Sequence, residues 1–191
     1  MSSSLEILTV IPARGGSKGV LQKNIRIIGN KPLIAYTIEV ALQSTGLDRV
    51  IVSTDSDEIA KISLKYGAEV PFTRPNNLST DLVPTLPVIQ HAVKKIETDT
   101  QKFFDWILIL QPTNPFRNTK DIDSVIKIAK KTPCDSIISV VQVFAHHPIL
   151  MKKIEGDRLL DFSIQEKEGT RRQDYFPPAY MRNGAIYLTR R

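Results

Sequence analysis

The segment Arg14-Gly15-Gly16-Ser17-Lys18-Gly19, followed by Lys23-Asn24, combines small residues with closely spaced cations. From Met1 to Lys31 there are five Lys or Arg residues (Arg14, Lys18, Lys23, Arg26, Lys31) against one acid, Glu6. Glycine lets backbone N–H groups approach an anion closely. Successive N–H groups in such a turn form an anion-binding concavity, and Arg adds bidentate phosphate contacts. The chemistry these residues suit is the grip of a polyphosphate. The alternative, open for any Gly-rich loop, is a solvated turn with scattered charge. The spacing matches neither of the two commonest phosphate motifs: Gly15 is followed five residues later by Val20 rather than Gly-Lys, and there is no G-x-G-x-x-G.

Three further polar stretches, residues 54–57, 74–85 and 111–117, each follow an apolar run. In the first, Asp55, Ser56 and Glu58 form an acidic turn or simply a helix start. In the second, Asp81 either faces a ligand or caps the helix after it. The third, Gln111-Pro112-Thr113-Asn114-Pro115-Phe116-Arg117, supplies an amide and a guanidinium. His146-His147 has no second pair of ligands at metal-binding spacing and is assigned to an extension or interface. No Ser–His or Cys–His pair is evident.

The elements that must position these loops alternate. Residues 5–11, 49–53, 68–72, 106–110 and 136–143 read as strands. Residues 106–110 (WILIL) are apolar throughout, as a central parallel strand requires. Helical periodicity is carried by Leu33, Ile34, Thr37, Ile38 and Ala41; by Ile59, Ile62 and Leu64; by Leu86, Ile89, Val93 and Ile96; and by Ile122, Val125, Ile126 and Ala129. Strand–helix alternation predicts a parallel or mostly parallel α/β sheet covered on both faces. Open sheets of this kind bind ligands beyond the carboxyl ends of their strands, where the polar loops fall. The alternation fails over residues 145–178, which hold a charged hairpin-like segment at 152–161. Residues 183–188 return to strand character. The expected organisation is one domain, 1–191, with an extension at about 143–178.

Of 191 residues, 41% are apolar and 24% charged, and the net charge is +6. This is a globular composition that favours an anionic partner. The basic residues are dispersed and aromatics make up 7%, which argues against a stacking platform for nucleic acid. No apolar run approaches the ~18 residues of a membrane span, and the MSSSLE start lacks signal-peptide character. A single cysteine, Cys134, precludes an intrachain disulfide and reads as a small hydrophobe. A cytoplasmic setting is expected.

The stretches at 11–24 (IPARGGSKGVLQKN), 31–41, 52–75, 78–81 (LSTD), 111–117 (QPTNPFR) and 171–187 (RRQDYFPPAYMRNGAIY) resemble, in order and over nearly the whole chain, the bacterial acylneuraminate cytidylyltransferases, or CMP-sialic acid synthetases. Each motif alone is weak; the combination is specific. The resemblance implies a Rossmann-like three-layer α/β/α fold with a mostly parallel sheet, of the nucleotide-diphosphosugar-transferase type. It also implies transfer of CMP from CTP to a nine-carbon 2-keto sugar acid, N-acetylneuraminate or a related nonulosonate such as legionaminate. Arg14, Gly15, Ser17, Lys18, Lys23 and Asn24 would hold the triphosphate, with Arg14 and Lys23 the catalytic cations. Arg74, Asp81 and Thr85 would complete the nucleotide wall. Gln111, Arg172, Gln173, Tyr180 and Asn183 would line the sugar side, with Arg172 a carboxylate clamp.

The family also implies Mg²⁺ and a homodimer built on the extension, with no nucleic acid and no membrane as partners. The acidic pair that holds the metal in the family is expected beyond the last strand and is absent from this chain. A shortened or partial form with an incomplete metal site is therefore expected. The competing class is a nucleotide-binding or regulatory module without catalysis.

Overall fold

The computed structural model describes residues 5–191; the MSSS start, part of the signal-peptide reading, lies outside them. The chain divides into two compact units. The first holds the residues up to Ile138 together with Gly184–Arg191, and the second is Ser139–Asn183.

The elements in chain order are β1 (Ile7–Pro12), the two-residue strands β2 (Ile27–Ile28) and β3 (Lys31–Pro32), α1 (Leu33–Gln43), β4 (Arg49–Ser53), α2 (Asp57–Lys65), α3 (Thr85–Thr100), β5 (Trp106–Ile109), α4 (Thr119–Lys131), β6 (Ser136–Val143), β7 (Lys152–Glu155), β8 (Arg158–Asp161) and β9 (Ala179–Arg190). The main sheet runs β4-β1-β5-β9-β6. β1 pairs in parallel with both β4 and β5, and β9 lies antiparallel to β5. The mixed sheet is therefore parallel at its centre, as the apolar runs predict.

Alternation along β1 divides the core. Ile7 and Ile11 face α1 and α4, packing with Ile34, Ile38, Ala41, Ile122 and Val125. Leu8 and Val10 face α3, packing with Ile89, Ala92, Val93 and Ile96. All four β1 residues are fully buried. Burying each such side chain contributes about 1.5–3 kcal/mol, so β1 is the strand least able to move. The loop at its end therefore starts from a fixed point. α1 buries the five residues assigned to its inner face, plus Ala35. α4 carries a capping box: Asn118 accepts from the Asp121 N–H while Asp121 accepts from the Asn118 N–H. Lys130 and Lys131 in its last turn complement the helix dipole.

Several expectations fail at the margins. Residues 68–72 do not form a strand; only the isolated bridges Ile51↔Glu69 and Thr54↔Thr73 remain. Pro71 lies between the two bridges and has no N–H to extend a ladder. Leu64 and Leu86 are exposed rather than inward. On α2 Ser63 takes the buried place beside Ile59, its hydroxyl bonded to the Ile59 carbonyl. The start of α3 is set by Thr85 after Pro84, so Asp81 does not cap it.

In the second unit, β7 and β8 pair as the charged hairpin. Lys152 bonds Asp161 (2.5 Å) and Glu166 (2.9 Å). His147 is buried. Its Nδ1 accepts the Ile149 N–H (3.2 Å), leaving Nε2–H to donate to the Pro177 carbonyl (2.8 Å). Both ring nitrogens are thereby used to hold the unit together.

No helix among the described residues is long and apolar enough to cross a membrane.

Candidate active site

At the carboxyl end of β1 and β4 the first unit contains a cavity of about 320 Å³. Its lining includes Arg14, Ser17, Lys23, Asn24, Arg74, Asp81, Thr85 and Gln111. Eight residues from three separate stretches of sequence thus share one hollow. Gly15 and Lys18 lie outside that lining but on the same loop.

The basic loop is held from three sides. The Ala13 N–H continues the β1 pairing by donating to the Ser53 carbonyl (2.9 Å). The Asn24 amide donates to the Arg14 carbonyl (3.0 Å), and Asn24 is buried. The Gly15 N–H donates to Asp55 Oδ1 (3.0 Å). A Cβ at Gly15 would stand 3.0 Å from Ser56 Cβ, a tight contact that would press the loop away from the start of α2. Gly15 and Asn24 therefore shape the loop through their own bonds. Asp55 does more than begin a helix: it anchors the loop, while Ser56 caps α2 by accepting the Ile59 N–H (3.4 Å).

Arg14, Ser17 and Lys23 are left to present polar groups to the cavity. Ser17 is buried, its N–H folded back onto the Gly15 carbonyl (2.9 Å). Arg14 Nη2 contacts Asp81 Oδ1 at 2.5 Å, and Lys18 Nζ contacts Asp81 Oδ2 at 2.6 Å. The hydrogen bond from Lys18, with Arg14 alongside, holds the Asp81 carboxyl below the usual range. Asp81 thus stands against the cations of the basic loop.

Arg74 forms the opposite wall. It is 4% exposed. Its Nε donates to Ser53 Oγ (3.1 Å) and its Nη2 to the Ser53 carbonyl. Burial lowers its pKa, with Asp55 acting in the opposite direction. The sequence shows only that this arginine opens a polar, proline-containing loop; in the fold its side chain is part of the interior.

Gln111 and Thr85 also line a neighbouring apolar hollow of about 340 Å³, formed with Leu86, Ile89, Ile138 and Tyr187. Gln111 and Thr85 therefore form the border between a polar, basic pocket and a greasy one. The other sugar-side residues belong to the second unit. There Arg172 stands over the Phe144 ring at 5.4 Å, Asn183 Oδ1 accepts from Ser139 Oγ (2.6 Å), and Gln173 and Tyr180 are exposed.

Thr80, Val83 and Thr113 join the lining without having been singled out; small residues in polar loops carry no distinguishing pattern. Arg117 supplies the guanidinium of the 111–117 stretch but is not in that lining. It closes the 111–117 motif and is buried.

Among the described residues, no group of three or more His, Cys, Asp or Glu side chains comes together to hold a metal ion. The two acids at the loop, Asp55 and Asp81, are already engaged. These residues do not build a metal centre by themselves, and no chemical step is assigned to one.

The arrangement is a basic pocket with an amide at its border, chemistry suited to an anion. Comparison with known proteins shows the family. The cytidylyltransferase family model matches residues 8–167. The CMP-N,N'-diacetyllegionaminic acid synthase of Legionella pneumophila is 38% identical over 186 residues, covering 96% of this chain and 78% of that protein. The N-acylneuraminate cytidylyltransferase of Escherichia coli is 36% identical over 188 residues, covering 96% of this chain and 42% of that longer protein. The solved structure of CMP:2-keto-3-deoxy-manno-octonic acid synthetase complexed with CTP superposes with a TM-score of 0.71 at 21% identity, over 97% of this chain and 74% of that one. That likeness is one of fold. The chain belongs to the cytidylyltransferase family.

Proposed function

We propose that the protein transfers CMP from CTP to a nine-carbon 2-keto sugar acid, N-acetylneuraminate or a related nonulosonate such as legionaminate. The observation that carries this reading is the convergence of Arg14, Ser17, Lys23, Arg74 and Gln111 on one cavity in a chain of this family. The anomeric hydroxyl of the sugar acid attacks the α-phosphorus of CTP in line. A new O–P bond forms, the bond to the β-phosphate oxygen breaks, the hydroxyl proton is lost and pyrophosphate leaves.

Catalysis in such transfers is mostly positioning and charge neutralisation, and the residues present suit that. Arg14 and Lys23 offset charge developing on the phosphates. Ser17 and Lys18 add contacts to the triphosphate, and Gly15 and Asn24 keep the loop in shape for it. Arg74 and Thr85 bound the nucleotide, and Gln111 meets the sugar acid. Arg172, Gln173, Tyr180 and Asn183 carry the same proposal as sugar ligands, supported by their exposed, polar character in the second unit. Mg²⁺ would accompany CTP on its phosphate oxygens, as a hard cation does.

A homodimer is proposed through the second unit, where Ile154, Leu159 and Phe162 expose large apolar side chains. A cytoplasmic reaction fits the use of CTP.

The test is pyrophosphate release with Mg²⁺, using a panel of nonulosonic acids against each of the four nucleoside triphosphates. Release confined to CTP with a nonulosonate is expected. Tight CTP binding by calorimetry with no turnover on any acceptor would favour the non-catalytic module instead.

A further inference from the structure

The 111–117 segment holds a buried cation that the proposed reaction does not use. Arg117 is 5% exposed and makes no ion pair with a carboxylate among the described residues. Its guanidinium instead binds three separate elements. Nε donates to the Ala185 carbonyl on β9 (2.7 Å), Nη1 to Thr37 Oγ1 on α1 (3.2 Å), and Nη2 to the Gln111 carbonyl (3.0 Å). Burial pushes its pKa down to about 10, so it remains charged at neutral pH. A buried charge without a counter-ion is unfavourable unless its donors are well used. Here the rigid fork of the guanidinium reaches three directions at once, a geometry that the single ammonium of lysine does not reproduce.

A second residue of the motif repeats the pattern. Asn114 Nδ2 donates to the Gly184 carbonyl (3.1 Å). Gly184 has φ +73, and a Cβ there would lie 3.5 Å from Gln111 Oε1 and from Asn114 Nδ2. The backbone of β9 therefore passes directly beside the Gln111 amide. Arg117 and Asn114 clamp that backbone at two successive carbonyls, while Arg117 also grips the Gln111 main chain. Gln111 is thus held at its carbonyl by Arg117, and its amide lies beside a strand that Arg117 and Asn114 hold.

We infer that Arg117 is a positioning residue for the acceptor half of the site, orienting the Gln111 amide through the Gln111 carbonyl and the β9 backbone. The inference rests on the reading of Gln111 as a sugar-acid contact. None of the three Arg117 partners belongs to the basic loop, so nucleotide binding should be insulated from its loss.

The test uses Arg117→Lys and Asn114→Ala, with Gln111→Ala as comparator, each checked by thermal melting. KM for the sugar acid, KM for CTP, and CTP affinity by calorimetry are measured. The Gln111 side-chain NH₂ resonances, assigned by their loss in Gln111→Ala, are followed by NMR. In Arg117→Lys, loss of one to two hydrogen bonds' worth of orientation should raise the sugar-acid KM about tenfold. CTP affinity should stay within about twofold, and the Gln111 NH₂ signals should shift or broaden. Asn114→Ala should give the same split, smaller in size. Equal increases in both KM values alongside a lowered melting temperature would reduce Arg117 to a structural role and overturn the inference. Unmoved Gln111 resonances would do so as well. If the wild-type chain turns over no sugar acid, the functional reading fails, and the positioning claim is then decided by the NMR arm alone.

Discussion

Two arginines line one cavity, yet their surroundings predict opposite signatures on replacement by alanine. Arg74 is interior: it is 4% exposed and donates to both the hydroxyl and the carbonyl of Ser53. The carbonyl keeps its bond from the Ala13 N–H, but Ser53 Oγ loses the Arg74 donor, and a hole opens at the end of β4. A buried polar group left unsatisfied costs about 1–3 kcal/mol, and the lost packing adds to it. For a chain of this size each kcal/mol is worth roughly 2–4 °C, so Arg74→Ala should lower Tm by about 4–12 °C and impair turnover with it. Arg14 has a side chain 32% exposed, paired with a carboxylate at the surface. Pairs of that kind add little to stability, so Arg14→Ala should shift Tm by no more than about 2 °C. Removing one charge-assisted phosphate contact, worth about 1.5–3 kcal/mol, should still reduce kcat/KM for CTP about 10- to 150-fold. Calorimetric melting and steady-state kinetics on both variants decide the matter. A Tm loss in Arg14→Ala equal to that in Arg74→Ala would refute the division between a ligand arginine and an interior one. So would an unchanged Tm in Arg74→Ala.

Asp81→Asn removes the carboxylate that holds Arg14 and Lys18. Pyrophosphate should then bind about two- to fivefold more tightly in calorimetric titrations at low salt. Weaker CTP binding with unchanged pyrophosphate affinity would move Asp81 back to the base and ribose side. His91 stands edge-on to Phe72 with ring centroids 5.1 Å apart. Burial first, then Arg74 and Lys95, lowers its pKa. The unfolded chain therefore takes up this proton more readily, and stability present above about pH 6.5 is lost as pH falls through the lowered value. His91→Gln should flatten the fall in urea midpoint between about pH 7.5 and 5.5; a slope equal to wild type would contradict the assignment.

The parts of this molecule legible in its sequence are those decided by burial over short range. β1 and β5 announce themselves as apolar runs because both of their faces are covered. α1 does so because its inner residues recur at helical spacing. The basic loop is legible for another reason: it is contiguous, and its glycines and cations report their own chemistry. What the sequence hid depends on partners that topology alone brings together. Arg74 and Arg117 sit in polar, proline-containing loops, and nothing nearby in sequence shows that one is tied to the end of β4 and the other to β9 and α1. Asp81 reads equally well as a helix cap, since its partners lie far upstream on the first loop. The missing third strand follows from Pro71, a local signal outweighed by the apolar residues around it.

The contacts of Asp81 also change what the basic loop means energetically. Read in isolation, Arg14, Lys18 and Lys23 suggest an affinity that grows with each added charge. In the folded protein two of these cations already hold a carboxylate, while the loop backbone is fixed by another, Asp55. A triphosphate bound as proposed would therefore exchange with Asp81 for Arg14 and Lys18, while Lys23 would meet it directly. Binding is set by a difference between two anions competing for the same donors. On the proposed function, the charge of the loop would set where the phosphates go, and the Asp81 carboxylate would limit how tightly pyrophosphate is kept once the bond to the α-phosphate is broken.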